Sequence, residues 1–426
     1  MSPMDRDKIV MSQRQLQRWH VMGLVEAGKI TLKEAGEKIG VSYRQAKRIR
    51  RAVRVKGVKG VLHGNTGRAP SNKLAESLRQ RVLSLSRERY WDLNDAHFGE
   101  KLREQEEIAL SRETIRRIRR GAGVPPKRKR RGKKHRKRRE RMAQEGWMVL
   151  WDGSPHLWFG PEHPPCCLLA AMDDATGKIV AAQFFPFEGT AGYLWLLKHM
   201  IKQYGIPVSI YQDRHGSLHR NDDYWSLEEQ LAGRQEPTQV GLALEALGIR
   251  PIFALSPQAK GRMERVFGIL QDRLIAELRL AGINASKEAN AFLPKFLKSL
   301  NQKFSVAPRD SEKAWRRLPS GLDLDRIVSI QYRCVVGNDN AVRLGGLVLD
   351  IAPGPQRRSY AKDKVEVRQL IDGSWRIYHQ DQLIAKHRST ALEEPIRTFK
   401  RKKDHATATR DYTWIYRASA PQHPNP

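Results

Sequence analysis

WMVLWDGSPHLWFGPEHPPCCLLAAMDDATGKIVAAQFFPFEGTAGYLWLLKHMIKQYGIPVSIYQD, residues 147–213, decides how the chain folds. Its apolar runs Trp147–Asp152, Cys167–Met172 and Ile179–Pro186 are short and bounded by Gly, Pro and Asp, which predicts three strands. Between the second and third, Asp173-Asp174-Ala175-Thr176-Gly177 suits a hairpin turn, where Asp side chains bond local amides and Gly supplies a left-handed residue. Ala191–Tyr204 reads as a helix and Ser209–Gln212 as a further strand. Past a polar insertion, Arg214–Pro237, come a helix over Thr238–Leu247, a short strand over Arg250–Ala254 and a helix starting near Gly261. Helices interleaved with a mixed sheet in this order describe an α/β layered domain.

Carboxylates stand at the ends of two of these strands. Asp152 follows Val149-Leu150-Trp151, and Asp213 follows Ile210-Tyr211-Gln212. If the strands are neighbours, both acids emerge at one sheet edge, within reach of one metal. Glu264 lies one turn into the helix after Ser256-Pro257-Gln258-Ala259-Lys260-Gly261 and can lean over that edge from the side. Hard divalent ions prefer carboxylate oxygens. Two of them about 4 Å apart suit phosphodiester cutting and joining, because they neutralise the phosphate while activating one oxygen and stabilising another. Taken singly, a strand-end Asp reads more simply as a turn or helix cap, and among 46 acidic residues some triad can always be drawn.

Upstream, Thr31 can cap a helix over Leu32–Ile39, Gly40-Val41 turns the chain, and Ser42 caps a second helix to about Arg51. In this helix-turn-helix, Tyr43, Arg44, Gln45, Lys47, Arg48 and Arg51 project outward from the helix that enters a major groove. The alternative is a helical hairpin with a basic solvated face. A similar pattern recurs, with a helix over Asp95–Gln105 and a basic helix Arg112–Arg120 capped by Ser111. This second module puts Arg112 and Arg116 among the candidate DNA contacts. Between the modules, His63–Ser71 has linker composition, and its Arg68 could enter a minor groove. Lys127–Arg141 holds twelve Lys or Arg against a single acid, Glu140. Such a run, including Lys127, Arg128, Lys129, Arg130 and Arg131, is a polybasic linker suited to gripping phosphates. Beyond Pro308, strand-like runs Ile327–Val336, Ala341–Asp350, Lys364–Ile371, Ser374–His379 and Gln382–Lys386, with a hairpin at Asp372-Gly373, predict a small antiparallel β-barrel. A basic tail at Lys400–Lys403 follows.

The bulk numbers agree with an anionic partner. Across 426 residues, 78 Lys and Arg oppose 46 Asp and Glu, a formal net charge of +32. That is the electrostatic footprint of nucleic-acid binding. No apolar run reaches membrane-spanning length and Met1–Arg14 lacks a signal-peptide core, so a cytoplasmic, nucleoid-associated protein without membrane contact is expected. Cys166, Cys167 and Cys334 form no CxxC pair, which argues for a reducing compartment and against a zinc module.

WDGSPHLWF (151–159), AAMDDATGKIVAAQF (170–184), YQDRHG (211–216) and SPQAKGRMERVFGILQDRL (256–274) together resemble the integrase-core family of DDE transposases, and look closest to the ISNCY-type transposases of bacterial insertion sequences. The order of helix-turn-helix modules, core and β-domain extends the resemblance over nearly the whole chain. It implies an RNase H-like core in which Asp152, Asp213 and Glu264 are the catalytic, metal-binding acids, using two Mg²⁺ ions with Mn²⁺ as a substitute. It also implies that Lys260 and Arg265, flanking Glu264, touch the DNA end, the alternative being a plain solvated helix face, and that the partners are the element's terminal repeats, target DNA and further copies of the chain. Glu264 follows Asp213 by 51 residues, a longer spacing than is common in the family, and the insertion Ser217–Pro237 accounts for the excess. Asp222 and Asp223 within it rank below Asp213, and His215 could orient water or phosphate. The expected architecture is multidomain: a helix-turn-helix domain at 1–62, a linker at 63–72, a second helical module at 73–126, the polybasic linker at 127–145, the α/β core at 146–308, the β-barrel at 309–390 and a tail at 391–426. Two rival readings are a DNA-binding protein that has lost its chemistry and an RNase H-like nuclease that cuts without joining.

Overall fold

The computed structural model describes residues 9–391 and 395, apart from 64, 66–72, 129–131, 133–138, 222–224, 255–260 and 355–356. Arg68, Lys129, Arg130, Arg131, Asp222, Asp223, Lys260 and the tail at Lys400–Lys403 therefore lie outside the described residues. The chain divides into two compact units, Met1–Ser84 and Leu85–Pro426. The second helical module expected over 73–126 straddles that division.

In the first unit, α1 (Gln13–Glu26), α2 (Leu32–Lys38) and α3 (Tyr43–Lys56) are followed by a 3₁₀ turn, Gly57–Val61. Ser12 with Gln15 and Thr31 with Glu34 form reciprocal capping boxes, and Ser42 accepts from the Gln45 amide. These bonds satisfy amides that the first helical turn leaves without partners. Gly40, at φ +65°, makes the turn. A side chain at Gly36 would meet the Val41 carbonyl at 2.9 Å, so that position admits only hydrogen where α2 meets the turn. Val21, Met22, Val25, Ala35, Ala46, Ile49, Val53 and Val61 make the core. The sequence reading omitted α1, which supplies three of these residues. α4 (Glu76–Glu88) follows.

The second unit opens with α5 (Asp95–Gln105), capped by Asn94, and α6 (Arg112–Gly121), capped by Ser111. Next come β1 (Met148–His156), β2 (Cys166–Asp173), β3 (Ile179–Phe185), α7 (Thr190–Tyr204), β4 (Ser209–Gln212), α8 (Leu227–Ala232), α9 (Gln239–Ala246), β5 (Arg250–Phe253), α10 (Gly261–Leu280) and α11 (Ser286–Phe304). The five strands form one sheet in the order β3-β2-β1-β4-β5. β1, β2 and β3 pair antiparallel, whereas β1, β4 and β5 run parallel. Successive side chains of a strand point to opposite faces, and β1 shows this directly. Val149 and Trp151 pack with Tyr193, Leu197, Val240 and Leu244 of α7 and α9, while Met148 and Leu150 pack with Met263, Phe267 and Leu270 of α10 and Leu293 of α11. The sheet is thus a layer between two pairs of helices. α8 and α11 were not expected; α8 forms within the insertion around a capping box of Ser226 and Glu229.

Asp173 and Asp174 sit at the expected turn, but both are fully buried. Asp173 accepts from the Gly146 and Thr176 amides and the Thr176 hydroxyl. Asp174 accepts from Arg139 at 2.6 Å and from Arg262 and the Met142 amide, which ties the end of the polybasic segment and the start of α10 to the sheet. Burial alone would raise the Asp174 carboxyl; hydrogen bonds from Arg139 and Arg262 overcome it and hold the group below its usual range.

After α12 (Leu324–Ile327), β6 (Ile330–Val335), β9 (Lys364–Gln369), β10 (Trp375–His379) and β11 (Gln382–His387) form an antiparallel sheet in the order β11-β10-β9-β6. β7 (Ala341–Leu344) and β8 (Leu347–Asp350) make a separate ribbon. The single strand expected over Ala341–Asp350 is instead this hairpin, because Gly345 and Gly346 take φ of +56° and +87°, the conformation of a two-residue hairpin loop. Among the described residues, strand pairing closes no barrel: the region is an open sheet and a ribbon. No helix of the described residues is long and apolar enough to cross a membrane.

Candidate active site

β1 and β4 are adjacent parallel strands whose onward connections leave in opposite directions, β1 towards β2 and β4 towards β5. In open α/β sheets, the crevice beyond the carboxyl ends of two such strands is where ligands bind. Met148 lies opposite Ser209 and Leu150 opposite Tyr211, and the Trp151 indole donates to Gln212 at 3.0 Å across the same 61-residue offset. Asp152 and Asp213 are the next pair at that offset. The register therefore brings them near one another, Asp213 directly after β4 but Asp152 inside β1 rather than at the expected strand end, because β1 continues its pairing with β2 as far as His156.

Alternation also fixes their side of the sheet. Asp152 shares the parity of Met148 and Leu150, and Asp213 that of Tyr211, all of which pack on the α10 side. Both acids are half-buried. Asp152 accepts from the Gly153 amide at 3.0 Å, and Asp213 accepts from the His215 amide at 2.9 Å. Each carboxylate is thus turned by a local bond. Two oxygen-donor groups at one edge fit a hard divalent cation in kind and charge.

α10 lies along this face in the direction of β1. Arg262 pairs with Asp174 beside the start of β1, and Gln271 donates to the Ser154 hydroxyl near its end. Glu264 is exposed and stands seven residues before Gln271, about 10 Å of helical rise. The structure does not draw it in beside Asp152 and Asp213. Among the described residues, no group of three or more His, Cys, Asp or Glu is gathered closely enough to hold a metal ion as it stands.

Glu264 instead lines a cleft of about 780 Å³ between α10, α6 and the segment after α6. Arg112, Arg120, Lys127, Arg128, Arg265 and Arg273 surround it, against the acids Asp95, Glu264 and Asp272. Basic groups outnumber acids, so the cleft attracts anions. Some are already engaged: Lys127 pairs with Asp272 at 2.8 Å, Arg120 with Asp95 at 2.7 Å and Arg273 with Glu100 at 2.8 Å. Arg112, Arg128 and Arg265 are exposed. Arg116 is exposed on α6 and paired with Glu113 at 2.7 Å.

In the first unit, Tyr43, Arg44, Gln45, Lys47, Arg48 and Arg51 all lie exposed on α3, as expected. Arg50 and Arg54 of the same helix bond Glu26 of α1 at 2.7 and 3.0 Å and serve packing. The sequence reading missed Glu188, which stands beside the edge where Asp152 and Asp213 emerge. Its position after β3 carried no signal, because proximity to Asp152 arises only from the pairing of three strands.

No family model matches the chain. Putative transposase y4bF of Sinorhizobium fredii (strain NBRC 101917 / NGR234) is 38% identical over 319 residues, covering 75% of this chain and 68% of the relative. The transposase for insertion sequence IS1202 of Streptococcus pneumoniae is 28% identical over 408 residues, 86% of each chain. Among solved structures, the chain is similar to a simian T-cell lymphotropic virus intasome in complex with PP2A regulatory subunit B56 gamma. That match has a TM-score of 0.30 and 15% identity over 73% of this chain and 100% of the other. The magnesium complex of the HTLV-2 integrase catalytic core in dimeric form gives 0.26 and 18%, over 37% and 88%. At the identity and coverage of the first relative, the chain belongs to the transposases.

Proposed function

We propose that this transposase, of the ISNCY type, cuts DNA at the ends of its element and joins them to target DNA at the edge formed by Asp152 and Asp213, with Glu264 as the third acid. The observation that carries this reading is the constant offset between β1 and β4, whose continuation two residues past Leu150 and Tyr211 supports the two Asp as neighbours on the α10 face. Glu264 belongs to the helix that covers that face and lines a basic cleft beside it. In the first step water attacks phosphorus, a phosphorus–oxygen bond breaks and the element keeps a free 3′-hydroxyl. In the second step that hydroxyl attacks a target phosphodiester, and the displaced target oxygen leaves as a new 3′-hydroxyl. Two Mg²⁺ ions, or Mn²⁺ in their place, bound by the three acids would neutralise the phosphate and stabilise the attacking and leaving oxygens. Asp152 and Asp213 hold their carboxylates in place through the Gly153 and His215 amides.

α3 reads the terminal repeat through Tyr43, Arg44, Gln45, Lys47, Arg48 and Arg51 in a major groove. The cleft residues Arg112, Arg128 and Arg265, with Arg116 nearby on α6 and Lys127 once released from Asp272, take the DNA backbone. Lys129, Arg130, Arg131 and Lys260 add further backbone contacts, and Arg68 enters a minor groove. The functional divisions follow the sequence reading, with the catalytic core at 146–308 and the β-domain at 309–390. Joining two ends to one target calls for a dimer or larger assembly on DNA.

Glu264→Gln tests the reading. With duplexes carrying the element's ends and Mg²⁺, it is expected to lower cleavage and joining by about 100-fold or more, with end binding equal to wild type by gel shift. Binding without chemistry in the wild-type protein, on the correct ends, would favour a DNA-binding relic; cleavage without joining would favour a nuclease. Lys47→Ala is expected to reduce the slope of log affinity against log salt by about 1. A slope equal to wild type in a salt titration would remove Lys47 from the interface.

A further inference from the structure

Glu188 follows the end of β3, and the antiparallel pairing of β1, β2 and β3 brings that end to the edge where β1 finishes. Its carboxylate accepts a hydrogen bond from the Tyr193 hydroxyl at 2.6 Å. It lies over Gly153, the residue after Asp152: a Cβ at Gly153 would meet a Glu188 oxygen at 2.5 Å. The His215 ring stands 3.9 Å from the same carboxylate, and the His215 amide holds Asp213. The Tyr193 phenol is pushed far up by burial, with Glu188, Asp152 and Asp213 adding to the effect, so all three acids act on one buried hydroxyl. Glu188 approaches from the α7 side, behind Asp152 and Asp213.

Resting on the reading of Asp152 and Asp213 as cation ligands, we propose that Glu188 is a positioning residue of that centre. Anchored by Tyr193 above Gly153, it adds negative charge behind the two ligands. Groups that orient metal ligands from behind typically change metal affinity 10- to 100-fold when replaced. Glu188→Gln keeps the size of the side chain and an oxygen to accept from Tyr193, and removes the charge. Tyr193→Phe keeps the buried ring and removes the anchor.

The test is Mn²⁺ binding to the full chain without DNA, read at its tightest site from the loss of free-ion signal in electron paramagnetic resonance, with thermal melting in parallel. Glu188→Gln is expected to weaken binding about tenfold and Tyr193→Phe to weaken it less, both melting like wild type. Asp152→Asn is the reference and should remove the site. Loss in Asp152→Asn with wild-type affinity in Glu188→Gln and Tyr193→Phe would overturn the role of Glu188 alone. Wild-type affinity in Asp152→Asn would overturn the ligand reading, and this inference with it.

Discussion

Asp152→Asn is expected to abolish both cleavage and joining, by about 1,000-fold or more, while leaving binding of element ends unchanged. A bound cation contributes several kcal/mol of charge stabilisation in phosphoryl chemistry, and each 1.36 kcal/mol is a factor of about ten in rate. Replacing one of two adjacent ligand carboxylates by an amide removes the charge that holds such an ion, without changing the size of the side chain. Asp213→Asn should do the same, since Asp213 follows Tyr211 at the offset by which Asp152 follows Leu150. Asp174→Asn is the contrast. That acid is buried and bonded to Arg139 and Arg262, so its loss should lower the melting temperature and leave the chemistry of the folded fraction intact. Single-turnover assays beside melting curves separate the cases. Wild-type rates in Asp152→Asn would end the assignment of this edge as the active site.

The α/β core and the helical modules before it were legible because their elements carry local signals. Short apolar runs end at Gly, Pro and Asp, and caps such as Thr31, Ser42, Ser111 and Thr238 stand one residue before the helices they close. Asp152 and Asp213 were legible for a related reason, since each follows an apolar run, although β1 continues past Asp152 to His156 because β2 pairs with it that far. What escaped depends on pairing over long separations. Glu188 reaches Asp152 through two strand pairings, and Asp173 and Asp174 look like solvated turn residues until Gly146, Arg139 and Arg262 close over them. The ribbon β7–β8 was misread as one strand because Gly-Gly within an apolar run is compatible with a bulge as well as a turn. The polybasic segment was read as wholly engaged with phosphate. Lys127 at one end and Arg139 and Arg141 at the other bond the core instead.

The expected consequence of Glu277→Ala follows from how α5 meets α10. His97, buried on α5, lies 2.7 Å from the Glu277 carboxylate, and Lys101 donates to it at 2.8 Å. Arg273 and Lys303 both hold Glu100 at 2.8 and 2.7 Å, and Arg279 holds Asp92 at 2.6 Å. This row joins the helices around the cleft to the helix carrying Glu264. Burial alone would raise Glu277, but hydrogen bonds from His97 and Lys101 overcome it and lower its pKa. Removing one partner of a buried ion pair leaves the other charge uncompensated, at a cost of about 3 kcal/mol or more. Glu277→Ala should therefore loosen α5 and α6 from α10, seen as faster amide exchange over Asp95–Gln105, with exchange in β1 and β2 unchanged. Exchange over α5 equal to wild type would show that apolar packing alone holds the junction. Acid should act in the same direction. Burial would raise Glu100, yet Arg273 and Lys303 hold it at about 2, so its contribution is full above the unfolded carboxyl value and is lost as pH falls from there towards 2. If α6 and Glu264 must act on one DNA end, loosening this row should slow cleavage even though Glu277 lies outside the cleft, and weaken end binding less than it slows the chemistry.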